Sequence, residues 1–196
     1  MTRVIFLGDE LVAGYGDPRA LGWTGRVMAR TITEPPIMAL QLAVPGQTIA
    51  QLAGRWEGEV KQRLSRDEDT RLVIGLGSHD VDGTESLARC RLHLANILDG
   101  ADRIHTTSFV VGPPPRQDAD NRKVARLAEA YRDVTERRHI PFVDTFGPLH
   151  AHAQWNTDMS TSADGYTPRQ AGYGLIAWLV LHSGWNSWLG IRTHAE

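Results

Sequence analysis

The chain has 196 residues, of which 41% are hydrophobic and 22% charged, a composition typical of a globular domain and not of a disordered chain. Its 21 basic and 23 acidic residues leave a formal net charge of −2, which gives no indication of a nucleic-acid partner. The single cysteine, Cys90, excludes an intrachain disulfide and a cysteine-rich zinc site. We therefore expect one domain over residues 1–196 that does not bind nucleic acid.

The apolar runs of the chain are short. The run nearest the N-terminus, Val4–Leu7, is too short for the core of a signal peptide. No stretch approaches the roughly 18 consecutive apolar residues that a membrane-spanning helix needs. These observations predict a cytoplasmic protein without a membrane span.

Five short apolar runs, each closed by turn residues, predict the buried strands of a parallel sheet. In chain order these runs are Val4–Leu7, Ile37–Ala43, Arg71–Gly75, Ile104–Val111 and Ile140–Val143. Amphipathic patterns between and after them predict the helices Trp23–Thr31, Thr48–Leu64, Ser86–Leu98, Ala119–Arg138 and Pro168–His182. This alternation predicts an α/β fold, a three-layer αβα sandwich with a five-stranded parallel sheet in the flavodoxin-like order 2-1-3-4-5.

Ligands of such folds bind outside the carboxyl ends of the strands, which directs attention to the loops that follow them. Four loop motifs carry polar or glycine residues at these places. They are Gly8-Asp9-Glu10-Leu11, Pro45-Gly46-Gln47, Gly77-Ser78-His79-Asp80 and, before the last helix, Asp164-Gly165-Tyr166-Thr167.

In order and spacing, these four motifs resemble the sequence blocks of the SGNH hydrolase superfamily, also called GDSL esterases and lipases. The resemblance extends over nearly the whole chain. It implies cofactor-free hydrolysis of esters or acyl groups on lipids or carbohydrates. We accordingly expect no cofactor and a small-molecule ester, acyl or glycan-like ligand, while the oligomeric state stays open.

The resemblance assigns a family role to five positions of this chain. Glu10 stands where the family has its nucleophilic serine, and Gly46 matches the glycine that lends a backbone N–H to the oxyanion hole. His79 stands where an asparagine donates to the same hole. Asp164 matches the aspartate that orients the catalytic base, and Thr167 replaces the histidine that is this base.

These replacements remove the nucleophile and the base that a serine esterase requires. Attack by Glu10 on an ester would give a reactive mixed anhydride, and Thr167 accepts no proton near neutral pH. We therefore expect a family member with a degenerate triad, weak or inactive as a serine ester hydrolase and able to act as a ligand-binding pseudoenzyme. The alternative is an active hydrolase with remodelled acid–base chemistry around Glu10, His79 and Asp164.

The replacements at positions 10 and 79 also suggest a direct contact. We hypothesise that Glu10 occupies the oxyanion hole itself and accepts hydrogen bonds from the Gly46 N–H and from His79, within about 4 Å. Such a contact raises the pKa of the imidazole and lowers that of the carboxyl group. Three neighbouring positions, Asp9, Gly14 and Asp80, are expected to belong to the ligand-binding site.

Other histidines and carboxylates of the chain leave further possibilities. Glu10, His79 and Asp164 are acceptable metal ligands, although we favour a hydrogen-bonded network without a metal. His150 and His152 are expected on a loop, where one of them would replace the missing base if the loop folded over Asp164.

Overall fold

Five strands form one parallel sheet in a computed structural model, which describes residues 1–65 and 67–191. They are β1 (Thr2–Gly8), β2 (Met38–Ala43), β3 (Asp69–Gly75), β4 (Thr107–Val111) and β5 (Phe142–Val143). Their order across the sheet is β2-β1-β3-β4-β5, and every neighbouring pair is parallel. The predicted fold class and strand order are confirmed.

The helices follow the strands on both faces of the sheet. They are α1 (Glu10–Ala13), α2 (Gly22–Met28), α3 (Ile49–Lys61), α4 (Leu87–Arg103), α5 (Asn121–Glu136), α6 (Phe146–His150), α7 (Ala153–Met159), α8 (Gln170–Val180) and α9 (Asn186–Leu189). A 3-10 turn covers His79–Asp82, and the chain kinks between α8 and α9, where Ser183 and Gly184 have non-helical backbone angles. Among the described residues, no helix is both long and apolar enough to cross a membrane.

The two faces of the sheet bury two separate hydrophobic cores. Because side chains alternate along a strand, Val4 and Phe6 of β1 pack in one core, which also contains residues of α2 and α8. Ile5 and Leu7 pack in the other core, against residues of α3, α4 and α5. This double burial explains why β1 is a continuous apolar run instead of an alternating one.

Two details of the predicted elements are wrong. Residue Ile104 does not begin a strand: its N–H bonds to the carbonyl oxygens of Gly100 and Ala101, so it ends α4, and β4 begins three residues later at Thr107. The loop expected around His150 and His152 contains the end of one short helix and the start of the next.

The carboxyl ends of β1 and β3 lie side by side and leave room for α1. Gly8 pairs in register with Gly75. A Cβ atom on either glycine would lie 2.6 Å from the Cγ2 atom of Val12, closer than carbon atoms approach. The two glycines therefore let α1 cross directly over the ends of the strands, which places Asp9 and Glu10 at the edge where this fold binds ligands.

Candidate functional site

Helix α1 holds the first two site residues in place. Asp9 is its N-cap and accepts the N–H of Leu11 on Oδ1 at 3.0 Å, and Glu10 is its first helical residue. Gly14 ends the helix with φ of 73°, and a Cβ there would lie 2.6 Å from the backbone of Gly22. Gly14 thus closes α1 and packs against the start of α2, and its expected part in ligand binding stays a prediction.

The Glu10 carboxylate has both of the contacts hypothesised from the sequence. Its Oε2 atom accepts the backbone N–H of Gly46 at 2.7 Å. Its Oε1 atom lies 3.0 Å from Nε2 of His79. Three segments that are distant in sequence, namely α1, the loop after β2 and the turn after β3, therefore meet at one side chain.

The Glu10–His79 contact shifts both pKa values in the directions expected of an ion pair. Partial burial raises the pKa of Glu10, but the hydrogen bonds from His79 and from the Gly46 N–H outweigh it, so the net pKa is lowered. Partial burial likewise lowers the pKa of His79, and the hydrogen bond and negative charge of Glu10 outweigh it, so the net pKa is raised. The arrangement favours a carboxylate beside an imidazolium.

Asp9 is a second carboxyl group in the same cluster, but a deeply buried one. It is 1% exposed, its Oδ2 atom accepts a hydrogen bond from the Tyr166 hydroxyl, and the same oxygen lies 3.5 Å from Nε2 of His79. Burial is the main reason that the pKa of Asp9 is raised to about 6, and the charge of Glu10 raises it further. The hydrogen bond from Tyr166 lowers this pKa but does not outweigh burial. Two adjacent carboxyl groups thus have pKa values shifted in opposite directions.

Tyr166 links the site residues to one another, and the sequence analysis did not single it out. Its hydroxyl donates to Asp9 and accepts the N–H of Ser78 at 3.1 Å. Its ring lies 4.2 Å from the ring of His79, centroid to centroid. The signal available in the sequence was weak, since Tyr166 lies between Asp164 and Thr167, the two positions of this motif to which the resemblance assigns a role.

Arg116 packs against the ring of Tyr166, and the sequence analysis did not single out this residue either. Its guanidinium lies 4.7 Å from the centroid of the Tyr166 ring. It donates to both carboxylate oxygens of Asp118 at 2.8 and 2.7 Å, to Asp82 at 2.8 Å and to the Ser78 carbonyl at 3.2 Å. With its charge engaged by two carboxylates, Arg116 fixes the position of the tyrosine ring.

Asp164 and Thr167 form a separate hydrogen-bonded group. The Thr167 hydroxyl donates to Asp164 at 2.8–2.9 Å, and the backbone N–H groups of Tyr166 and Thr167 donate to it at 2.9 and 2.8 Å. Burial raises the pKa of Asp164, but these hydrogen bonds together lower it. Within the described residues, Asp164 forms no hydrogen bond with Glu10, with His79 or with any other histidine.

The family of the chain follows from its sequence. Residues 6–175 match the GDSL-like lipase/acylhydrolase family. The chain belongs to this family. The resemblance to SGNH hydrolases that was stated from four motifs is thereby confirmed. No curated protein has a sequence that matches the chain significantly.

Solved structures of several hydrolases share the fold. The lipase/acylhydrolase from Enterococcus faecalis superimposes with a TM-score of 0.79 at 19% identity, over 100% of both chains. The esterase EstA from Pseudoalteromonas sp. has a TM-score of 0.73 at 17% identity, over 96% of this chain and 98% of its own. The acetylxylan esterase Axe2 from Geobacillus stearothermophilus has a TM-score of 0.73 at 19% identity, over 98% and 97%.

Asp80, the last residue of the third motif of this GDSL-family chain, lies inside the protein, and its expected part in ligand binding stays a prediction. It is buried and accepts the N–H of Ile49 at 3.0 Å and the hydroxyl of Tyr131 at 3.3 Å. Burial is the main reason that its pKa is raised. Asp80 thus holds the start of α3, which follows the Gly46 loop directly, and it orients the segment that supplies the Gly46 N–H.

The two histidines considered as substitutes for the base have structural contacts of their own. His152 is the N-cap of α7 and accepts the N–H of Trp155 on Nδ1 at 3.4 Å. His150 stacks on Phe146, with ring centroids 5.0 Å apart. Neither contact involves Asp164.

The residues that could hold a metal are not the set proposed from the sequence. Ligand atoms of Asp9, Glu10 and His79 all lie within 4.8 Å of one another. Asp164 is not part of this group, because its oxygens accept from its own loop. The aspartate that accompanies Glu10 and His79 is therefore the buried Asp9.

Proposed function

We propose that this GDSL-family chain has lost serine-type ester hydrolysis and that its Glu10–His79 site binds a small ligand. The observation that carries this proposal is the 2.7 Å hydrogen bond from the Gly46 N–H to Oε2 of Glu10. In the family, the N–H at this position stabilises the oxyanion that develops on the substrate. Here a resident carboxylate accepts it, and a second negative oxygen would meet the charge of Glu10.

The position assigned to the family's base supports the same conclusion. The Thr167 hydroxyl is buried and donates to Asp164. A hydroxyl that is buried and donates to a carboxylate cannot serve as the base that deprotonates a nucleophile. It also has no ready route to a substrate carbonyl. Loss of either the nucleophile or the base costs several orders of magnitude in turnover in serine hydrolases, and this chain lacks both at the matching positions.

The chemistry of the site favours a neutral ligand that carries hydroxyl groups. The Glu10 carboxylate accepts hydrogen bonds and repels an anionic carboxylate. The neighbouring segments expose the aromatic ring of Tyr15 and the apolar side chain of Val44. A sugar offers hydroxyl donors on one edge and an apolar face for such side chains. The structural similarity to an acetylxylan esterase is consistent with an acylated carbohydrate within the expected class of ester, acyl or glycan-like ligands.

One observation favours a second candidate, an active hydrolase with remodelled chemistry. Glu10 has a lowered pKa and His79, 3.0 Å away, has a raised pKa. An ionised carboxylate can accept a proton from an attacking water, and an imidazolium can donate one to a leaving group. In this candidate Glu10 is the general base and His79 the general acid.

Hydrolysis of short-chain p-nitrophenyl esters separates these candidates. We expect the wild-type chain to show no turnover above buffer and no labelling by a fluorophosphonate, a covalent serine reagent. Turnover that disappears in both Glu10→Gln and His79→Gln would instead establish the second candidate. Turnover that the fluorophosphonate abolishes would contradict both, since a hydroxyl would then be the nucleophile.

A cytoplasmic location and the absence of a nucleic-acid partner stay predictions from the sequence.

A further inference from the structure

We propose that Asp9, Glu10 and His79 form a binding site for one divalent transition-metal ion such as Zn²⁺ or Mn²⁺. The inference goes beyond the loss of serine chemistry and does not depend on it. It starts from three ligand atoms of two chemical types, one imidazole nitrogen and two carboxylate oxygens, supplied by α1 and by the turn after β3.

Two of the separations between these atoms are close to those of neighbouring metal ligands. Nε2 of His79 lies 3.0 Å from Oε1 of Glu10 and 3.5 Å from Oδ2 of Asp9. Two ligands bound at about 2.0–2.1 Å, with angles between tetrahedral and octahedral values, lie roughly 2.9–3.4 Å apart. An ion can therefore replace the shared proton of His79 with small side-chain movements.

The groups that orient metal ligands in proteins are already in place. The Tyr166 hydroxyl and the Leu11 N–H donate to Asp9, and the Gly46 N–H donates to the oxygen of Glu10 that does not face His79. Ligating carboxylates are usually held in this way by donors outside the coordination sphere. The two carboxylates are thus held in position by hydrogen bonds before any ion binds.

Charge and access favour a cation at this point. Two carboxyl groups share one imidazole, and the charge of nearby Arg116 is engaged by Asp82 and Asp118. The side chains of Glu10 and His79 are 15% and 20% exposed, so the cluster opens toward solvent on one side. Three protein ligands with an open side are the arrangement of zinc sites that also bind water or substrate, and mixed imidazole–carboxylate donors suit Zn²⁺ and Mn²⁺.

The experiment is a titration of the metal-stripped full-length chain with ZnCl₂ and with MnCl₂ by isothermal calorimetry, without any ester present. We expect saturable binding of one ion per chain for at least one of the two metals. Glu10→Gln and His79→Gln are each expected to weaken binding by about 100-fold or more, since each removes a direct ligand. Tyr166→Phe, which removes a group outside the coordination sphere, is expected to weaken it by about 10-fold.

His93→Gln is the matched control, because His93 makes a comparable histidine–carboxylate contact with Glu85 at 3.9 Å. It should leave the affinity unchanged. As a second readout, the bound ion should raise the melting temperature of the wild type but not that of Glu10→Gln, provided that circular dichroism shows both to be folded. The proposal is wrong if the wild type binds neither ion stoichiometrically, if both ligand variants bind as the wild type does, or if His93→Gln abolishes binding.

Discussion

The Glu10 side chain accepts the backbone N–H of Gly46 at 2.7 Å, a bond between residues 36 positions apart in the chain. It ties α1 to the loop after β2. In our proposal the same bond occupies the oxyanion hole of the family and blocks serine-type catalysis. If this proposal is right, replacing Glu10, His79 and Thr167 together by the family's residues should create the family reaction.

The first prediction is that Glu10→Ser, His79→Asn and Thr167→His together create esterase activity. These changes supply the nucleophile, the side-chain donor and the base that the family uses, a combination worth several orders of magnitude in rate. We expect turnover of p-nitrophenyl acetate at least about 100-fold above that of the wild type. The initial rate of p-nitrophenolate release measures it.

The matched control carries Glu10→Ala in place of Glu10→Ser and retains the other two changes. It should stay at the wild-type level, because it lacks the attacking hydroxyl. A folded triple variant that is silent, next to a wild type that hydrolyses the ester, would show that the site works by other chemistry.

The second prediction concerns Tyr166→Phe. The change removes one hydroxyl that donates to buried Asp9 and accepts from the Ser78 N–H, while retaining the ring that packs against His79 and Arg116. It leaves two buried polar groups without this partner, so the free energy of unfolding should fall by about 1–3 kcal/mol. Urea unfolding followed by circular dichroism measures the loss.

The same substitution should raise the pKa of Asp9 further, because the Tyr166 hydrogen bond opposes the effect of burial. Tyr15→Phe is the matched control, since its side chain is exposed, and it should change stability little. A Tyr166→Phe variant as stable as the wild type would show that the hydroxyl does not organise the site.

The sequence predicts much of the fold because burial on both faces leaves a strong signal. The runs containing Val4–Leu7 and Arg71–Gly75 are continuous and apolar, and both are central strands of the sheet. By contrast, α1 has four residues, too few for a helical period to be recognised. The predicted start of β4 lies too early, at Ile104. An apolar residue at the end of a helix cannot be told from a strand residue by its type alone.

The candidate site divides in the same way. The contact of Glu10 with Gly46 and His79 was predictable, because the motifs follow adjacent strands and the residue types are complementary. The parts played by Tyr166 and Arg116 were not, since each acts through a contact between segments far apart in sequence, 88 positions for the Tyr166–Ser78 bond. Such contacts depend on how loops fold over the sheet, which local patterns do not encode.

The third prediction tests the close packing beneath the site. A Cβ atom on Gly77 would overlap Oδ2 of Asp9 and the hydroxyl oxygen of Tyr166. Gly77→Ala therefore has to displace a buried hydrogen-bonded pair, and we expect it to lower the free energy of unfolding by about 1–3 kcal/mol. Gly83→Ala is the control, because its Cβ would lie 3.8 Å from its nearest neighbour, the Asp80 carbonyl. Equal stability of the two variants would contradict the packing around Asp9.

The last prediction is a pH dependence of stability that originates away from the site. Asp17 is buried and paired with Arg26, and it accepts the N–H groups of Arg19 and Gly22 at 3.1 and 2.9 Å. Burial raises its pKa, but the Arg26 hydrogen bond and the backbone donors outweigh burial and lower it from 3.8 to about 2. The folded protein thus holds this carboxylate in its charged form more strongly than the unfolded chain does.

Because the folded pKa lies below the unfolded one, the stabilisation is complete above about pH 4 and is lost as the pH falls toward 2. A shift of this size corresponds to about 2 kcal/mol. Asp17→Asn should therefore be less stable than the wild type at pH 7, and the difference should narrow between pH 4 and pH 2 in urea unfolding. Asp99→Asn, which breaks the exposed pair with Arg138, is the control and should cost less than about 1 kcal/mol. A constant difference between Asp17→Asn and wild type across this range would show that the ionisation of Asp17 does not stabilise the fold.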